Sequence, residues 1–165
     1  MTQAYLGLGS NLGDRQQLLC SARAALAAKE QLRVTGASAL YQSAPVGGPT
    51  GQPAFLNAVL EVETALSAPQ LLALCLAVET HFGRQRQEHW GPRTLDIDLL
   101  DYGGILCGAP ELTLPHPRLH ARAFVLVPLA EVAPGWRHPK LGRSAAELLA
   151  DLTDAGAVER WPHPW

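Results

Sequence analysis

The order in which two kinds of apolar periodicity follow one another constrains this chain most. "AYLGLG" (Ala4–Gly9) is a short apolar run of strand length. From Asp14 the apolar residues shift to positions 18, 19, 22, 25 and 26, which is a helical stripe. Leu32 to Tyr41, with Val34, Thr35 and Tyr41, reads as a second strand. "FLNAVLEVET" (Phe55–Thr64) is a third. In it Leu56, Ala58, Leu60 and Val62 share one face, and Phe55, Asn57, Val59, Glu61 and Glu63 share the other. Ser67 then caps a second helix, with Pro69 tolerated in its first turn. The stripe runs through "QLLALCLAVETHF" and stops at Gly83. Leu95 to Tyr102 is a fourth strand.

The order β-α-β-β-α-β predicts an α+β fold, the ferredoxin-like sandwich: one antiparallel sheet with both helices on one face. From Gly103 onward the sequence holds a short apolar piece at Leu112–Leu114 and helical patterns at His120–Leu129 and Ser144–Leu152. No linker sets them apart, so they read as C-terminal elaborations of a single domain spanning residues 1–165. With 47% apolar residues the chain can bury a real core. A formal net charge of −2 argues against a nucleic-acid partner, so any anion must be held by a local cluster. Cys20, Cys75 and Cys107 form no C-x-x-C pair, which suits a reducing compartment. Neither a leader nor a membrane-spanning run is evident, and the expectation is a cytoplasmic protein with no membrane partner.

Two segments interrupt the pattern. "SAPVGGPTGQPA" (Ser43–Ala54) is a long Gly/Pro loop, and long loops in compact domains are often functional. "RQRQEHWGPR" is a polar loop with Arg84, Arg86, His89 and Arg93 within ten residues. It leads directly into "TLDIDLLDYG", where Asp96 and Asp98 share a strand face roughly 6.5–7 Å apart, opposite Leu95, Ile97 and Leu99. Taken alone, the pair is either a polar edge face open to water or a place where cations sit between carboxylates. The four potential cations just before it favour a polyphosphate carrying metal ions. Carboxylates hold Mg²⁺, Mg²⁺ shares phosphate oxygens, and arginines clamp the remaining ones. Asn57, half-buried beside Phe55, needs a partner: either a cross-strand hydrogen bond or a planar heterocycle. Trp90 is an odd residue for a polar loop unless it covers something.

"GLGSNLGDR" near the start, "FLNA" in the middle and "HWGPRTLDIDLLDYG" later resemble the 6-hydroxymethyl-7,8-dihydropterin pyrophosphokinase family of folate biosynthesis. The resemblance runs from Tyr5 to about Pro139, with the motifs in order. It implies diphosphate transfer from ATP to a pterin alcohol, with AMP leaving, two Mg²⁺ ions, a ferredoxin-like fold and a monomer whose partners are small molecules. By position, Asp96 and Asp98 match the Mg²⁺ ligands, and Arg84 and Arg93 the arginines on the transferring phosphates. Arg86 and Trp90 match the nucleotide loop, Trp90 also closing over the pterin. Asn57 matches the amide on the pterin ring, Phe55 and Phe124 its aromatic walls, and Ser43 and Val46 backbone positions at its edge. His116, Arg122 and Glu79 match residues at the nucleotide. For Phe124 in "AFVLVPL", a place in the core is the alternative.

The chain departs from the pattern at Phe55, where a tyrosine is common, and at Glu111 and His89, where basic residues are expected. His116 and His120 are four apart, but Pro117 and the lack of further ligands argue against a metal pair. "GLGSNLG" has the spacing G-x-G-x-x-x-G, and no acidic residue ends the second strand, so it reads as a strand end and turn rather than a dinucleotide loop. An RNA-binding module of the same element order needs exposed aromatics and a basic face, which these strands lack. A non-catalytic ligand sensor has no need of D-x-D with paired arginines.

Overall fold

The computed structural model describes residues 1–45, 51–82, 95–153 and 156–165. The elements are β1 (Thr2–Ser10), α1 (Arg15–Ala27), β2 (Leu32–Ala37), β3 (Tyr41–Ser43), β4 (Phe55–Thr64), α2 (Ala68–His81), β5 (Asp96–Tyr102), β6 (Cys107–Ala109) and β7 (Leu112–Leu114), followed by α3 (Ala123–Val132), α4 (Ala145–Asp151) and β8 (Val158–Arg160). The central strand β1 pairs antiparallel with β5 on one side and β4 on the other. Both β2 and β3 hang on the far edge of β4, and β8 lies beside β3.

The helices start where the capping chemistry places them. Asp14 accepts the Gln17 N–H at the head of α1. Ser67 and Gln70 form a reciprocal capping box at the head of α2, with Pro69 inside the first turn. Both helices pack on one face of the sheet, as the sequence order predicts. Leu19, Ala22 and Leu26 of α1 and Leu71, Cys75 and Val78 of α2 meet a core that includes Leu6, Leu56, Leu60, Ile97 and Leu99. Leu56, Ala58, Leu60 and Val62 all point into it, which is the face assignment read from β4.

Two features depart from expectation. The run Leu32–Tyr41 is not one strand: it bulges between Val34 and Gly36 and breaks after Ala37. Past the break Ser38 still donates its N–H to the Val59 carbonyl at 3.0 Å, but the regular ladder ends there. Ser38 Oγ accepts the Val59 N–H at 2.9 Å, and the Leu40 carbonyl accepts the Trp161 N–H at 2.8 Å. Second, the sheet is covered on both faces. The elaborations build a second core, in which Leu126, Leu129 and Leu148 pack on Tyr5, Val59 and Leu100. The helix expected at His120–Leu129 is a 3₁₀ turn, Leu119–Ala121, a break at Arg122, and then α3. Leu112–Leu114 is one arm of a hairpin with β6. Among the described residues, no helix is long and apolar enough to cross a membrane.

Candidate active site

The second core covers only the Tyr5–Val59–Leu100 end of its sheet face. Toward the other end the register places one row of residues on that face. Gly9 of β1 lies opposite Asp96 of β5 on one side and Asn57 of β4 on the other. Gly7, one step along, lies opposite Asp98 and Val59. Leu100 of the second core covers Gly7, 3.3 Å from where a Cβ would sit, so the bare backbone is at Gly9, between Asp96 and Asn57. A Cβ on Gly9 would sit 3.4 Å from Asn57 Oδ1 and 3.6 Å from Phe55 Cδ1, so any side chain there would fill the space in front of both.

On the β4 side, Asn57 is buried at 5% exposure, and its amide has two employments. Nδ2 donates to the Tyr41 carbonyl at 3.2 Å and to Ser43 Oγ at 2.7 Å, which ties β4 to β3. Oδ1 faces the Gly9 strip. The cross-strand bond and a surface for a planar ligand, posed as alternatives by the sequence, are thus not exclusive. Phe55, half-buried, faces Ser43 across the same strand pair. The chain just before Phe55 is held from the β1–α1 turn. Asn11 Nδ2 donates to Gln52 Oε1 and the Pro53 carbonyl, each at 3.3 Å, and Arg15 Nη1 donates to the Ala54 carbonyl at 2.7 Å. Read from sequence, this stretch is a strand end and turn, without these contacts to the chain before Phe55. The signal was the density of polar side chains in "SNLGDR", which a plain turn does not need.

On the β5 side, Asp96 and Asp98 are half-buried, with Ile97 between them pointing into the first core. The Ile97 N–H donates to Glu79 Oε1 at 2.6 Å, so a buried carboxylate of α2 fixes the backbone between the two aspartates. A cleft of about 290 Å³ opens here, lined by Asp96, Asp98, Glu79, Glu111, His116 and Leu72, among others. His116 is anchored by its N–H to the Leu100 carbonyl at 2.8 Å, and its Nδ1 accepts the Arg118 N–H at 3.2 Å. Burial holds its pKa below the ordinary histidine value. Asp98 pulls it up, while Arg122 and Arg118 push it down. Arg122 in turn lies over the Phe124 ring, 5.5 Å from its centroid. Phe124 packs on the second core, so the core alternative holds for part of that ring.

Among the described residues no group of three or more His, Cys, Asp and Glu side chains is arranged to hold a metal. The two aspartates suit a cation that brings most of its own ligands. Mg²⁺ is commonly held by one or two carboxylates, with waters and substrate phosphates completing its shell. The structure thus brings Asp96, Asp98, Glu79, His116, Arg122 and Phe124 to one side of the glycine strip, and Ser43, Phe55 and Asn57 to the other. Val46, Arg84, Arg86, His89, Trp90 and Arg93 lie outside the described residues.

Residues 5–134 match the family model for 7,8-dihydro-6-hydroxymethylpterin-pyrophosphokinase (HPPK). Over 160 residues the chain is 46% identical to a 2-amino-4-hydroxy-6-hydroxymethyldihydropteridine pyrophosphokinase of Methylorubrum extorquens, covering 97% of this chain and 99% of that one. It is 42% identical to the Pseudomonas aeruginosa protein of the same name, covering 97% of each. The fold resembles that of Plasmodium falciparum HPPK-DHPS crystallised with pteroate, with a TM-score of 0.72 at 15% identity. That match covers 90% of this chain and 42% of the longer one.

Proposed function

This chain belongs to the 7,8-dihydro-6-hydroxymethylpterin-pyrophosphokinase family, and we propose that the glycine-floored cleft is where it does that family's chemistry. It is an ATP-dependent diphosphotransferase of folate biosynthesis: diphosphate passes from ATP to the hydroxymethyl group of the dihydropterin. The observation that supports this placement of the site is the register itself. Asn57 and Asp96 flank Gly9 on one sheet face with nothing but backbone between them. One side offers an amide and an aromatic wall for a flat heterocycle, and the other offers hard oxygen ligands for a phosphate-bound cation.

In this reading the pterin lies against Phe55 with its ring edge at Asn57 Oδ1, Ser43 and Val46 close one border, and Phe124 and Trp90 close the other faces. ATP enters from the β5 side, where Arg122, His116 and Arg86 meet the nucleotide. Glu79 serves it through the backbone of Ile97. Asp96 and Asp98 would hold two Mg²⁺ ions, which supply neutralisation of phosphate charge and a lowered pKa for the attacking alcohol. The pterin oxygen attacks the β-phosphorus and AMP leaves. Arg84 and Arg93 stabilise the charge that shifts as the bond breaks. Positioning and electrostatics carry the step, and no side chain is required as an obligatory base. As the resemblance implies, the reading takes the chain as a single domain over residues 1–165, a monomer working in the cytoplasm.

The test is incubation with ATP, Mg²⁺ and the reduced pterin alcohol, followed by nucleotide analysis. AMP is expected. ADP would indicate a different kinase, and no turnover would return the site to a binding role. Asp96→Asn and Asp98→Asn should each lower turnover at least about a hundredfold while the fold persists. They should also lose the rise in melting temperature that Mg²⁺ with a non-hydrolysable ATP analogue gives the unaltered protein.

A further inference from the structure

Residues 161–165, "WPHPW", lie against α1, bonded to Gln16 and Arg23. They are fastened by two tryptophans, each seated under an arginine of α1. Trp165 donates from Nε1 to the Ser38 carbonyl at 2.7 Å, and Arg23 lies over its ring at 5.0 Å. Trp161 donates from Nε1 to Gln16 Oε1 at 2.9 Å, and Arg15 lies over its ring at 5.2 Å. The two pairs look alike but lead to different places. Arg23 reaches back to the Trp165 carbonyl at 2.8 Å. Arg15 reaches forward: Nη1 donates to the Ala54 carbonyl at 2.7 Å and to Gln42 Oε1 at 3.2 Å. Ala54 immediately precedes Phe55, and Gln42 lies between Tyr41 and Ser43, the two residues that hold the Asn57 amide.

The placement of Arg15 is not explained by the helix. It stands at the first position of α1, where the helix dipole favours negative charge, and the first turn carries no acidic side chain. A cation in that position works against its own helix. What holds it there is the Trp161 ring on one side and the two acceptors of the site's rear wall on the other.

We propose that Arg15, seated on Trp161, is a positioning residue for the pterin side of the site. The planar guanidinium spans β3 and the chain entering β4, and fixes Phe55 relative to Ser43 and Asn57 before any ligand arrives. The tryptophan ring fixes the guanidinium. This rests on the reading of Phe55, Asn57 and Ser43 as the pterin wall. The hydrogen bonds of Arg15 go to β3 and the chain entering β4, so its effect is expected on the pterin rather than on ATP.

The experiment compares Arg15→Met, Arg15→Lys, Trp161→Ala and Trp165→Ala, with hydrogen exchange and steady-state kinetics on each. Arg15→Met keeps an apolar stem against Trp161 but loses both donated bonds. It should speed amide exchange at Gln42, Ser43 and Phe55, and raise KM for the pterin about tenfold, with much smaller changes in kcat and in KM for ATP. Trp161→Ala should reproduce that pattern, and combining the two should add little, because both act through one path. Arg15→Lys keeps the charge but not the planar group that lies over Trp161, and should recover only part of the affinity. Trp165→Ala should cost stability without raising KM for the pterin. Unchanged exchange at Gln42, Ser43 and Phe55 in both Arg15→Met and Trp161→Ala overturns the strut, whatever the kinetics. An equal rise of pterin KM in Trp165→Ala reduces it to general stability and overturns it as well. If the unaltered protein makes no AMP, the proposed function fails, while the exchange data still decide the strut.

Discussion

Glu79 Oε1 accepts the Ile97 N–H at 2.6 Å, although Glu79 belongs to α2 and is only 3% exposed. A buried carboxylate in that position makes the backbone between Asp96 and Asp98 depend on α2. Removing the acceptor in Glu79→Leu leaves a buried N–H unpaired, at about 1–3 kcal/mol. The melting temperature should drop by several degrees, and the Mg²⁺ concentration for half-maximal rate should rise several-fold. Glu79→Gln keeps an acceptor oxygen and should recover most of both. Thermal scans and Mg²⁺ titrations of the two variants check this. Equal losses in both would show that the charge, and not the backbone bond, is what matters.

Arg84 and Arg93 are expected to act on the transferring phosphates, where charge moves as the bond breaks. Arg84→Ala and Arg93→Ala should each lower kcat by about two orders of magnitude and change KM for ATP much less. A loss confined to KM would show that they only hold ground-state ATP.

Glu111 is exposed and lines the cleft that also contains Asp96, Asp98 and Glu79. If the cleft takes the polyphosphate as proposed, a fourth carboxylate there repels it. Glu111→Lys should lower KM for ATP about threefold to tenfold at low ionic strength. The gain should shrink as salt is raised through physiological strength, because the site is open to solvent. Steady-state kinetics across a salt series measures it.

His138 gives a pH dependence whose sign is fixed by its surroundings. It is buried, and its Nδ1 accepts the N–H groups of Lys140 and Leu141 at 3.2 and 3.1 Å, an arrangement open only to the neutral ring. Burial, then His120 and Lys140, lower its pKa from the ordinary value of 6.5. The unfolded chain therefore takes up a proton first as pH falls. The stabilisation is complete above about pH 6.5 and is lost as pH falls through the lowered folded value. Urea midpoints of the unaltered protein should decline between about pH 7 and pH 5, and His138→Leu should flatten that part of the curve. Parallel curves would assign the decline to other groups.

The layout of the sheet was legible because period-2 and period-3.6 runs are local signals. The face assignment in β4 followed from Leu56, Ala58, Leu60 and Val62 alone. The break after Ala37 was not legible, because Ser38 looks like any strand serine until Val59 is beside it. Asp101 shows the same limit at one residue. A shift between Tyr5 and Leu6 in the pairing of β1 with β5 turns it inward opposite Tyr5, where it is 4% exposed and burial raises its pKa. Of the site, Asp96, Asp98 and Asn57 could be picked out as polar residues in apolar strands, and their meeting across Gly9 required the register. Arg15 and Trp161 stand far apart in sequence and share no pattern, so no window of residues connects them.

The glycine strip also decides what an inhibitor of this site can exploit. From Asn57 to Asp96 is two strand spacings, about 9–10 Å, crossed over Gly9 with no side chain between. A compound linking a heterocycle to a phosphate mimic would lie flat on backbone for that whole distance. Backbone presents nearly the same surface in any protein that keeps this register. The linker can therefore supply affinity but little discrimination. Selectivity for this chain would have to be sought at the ends, where Phe55 lacks a phenolic hydroxyl and Glu111 adds a negative charge.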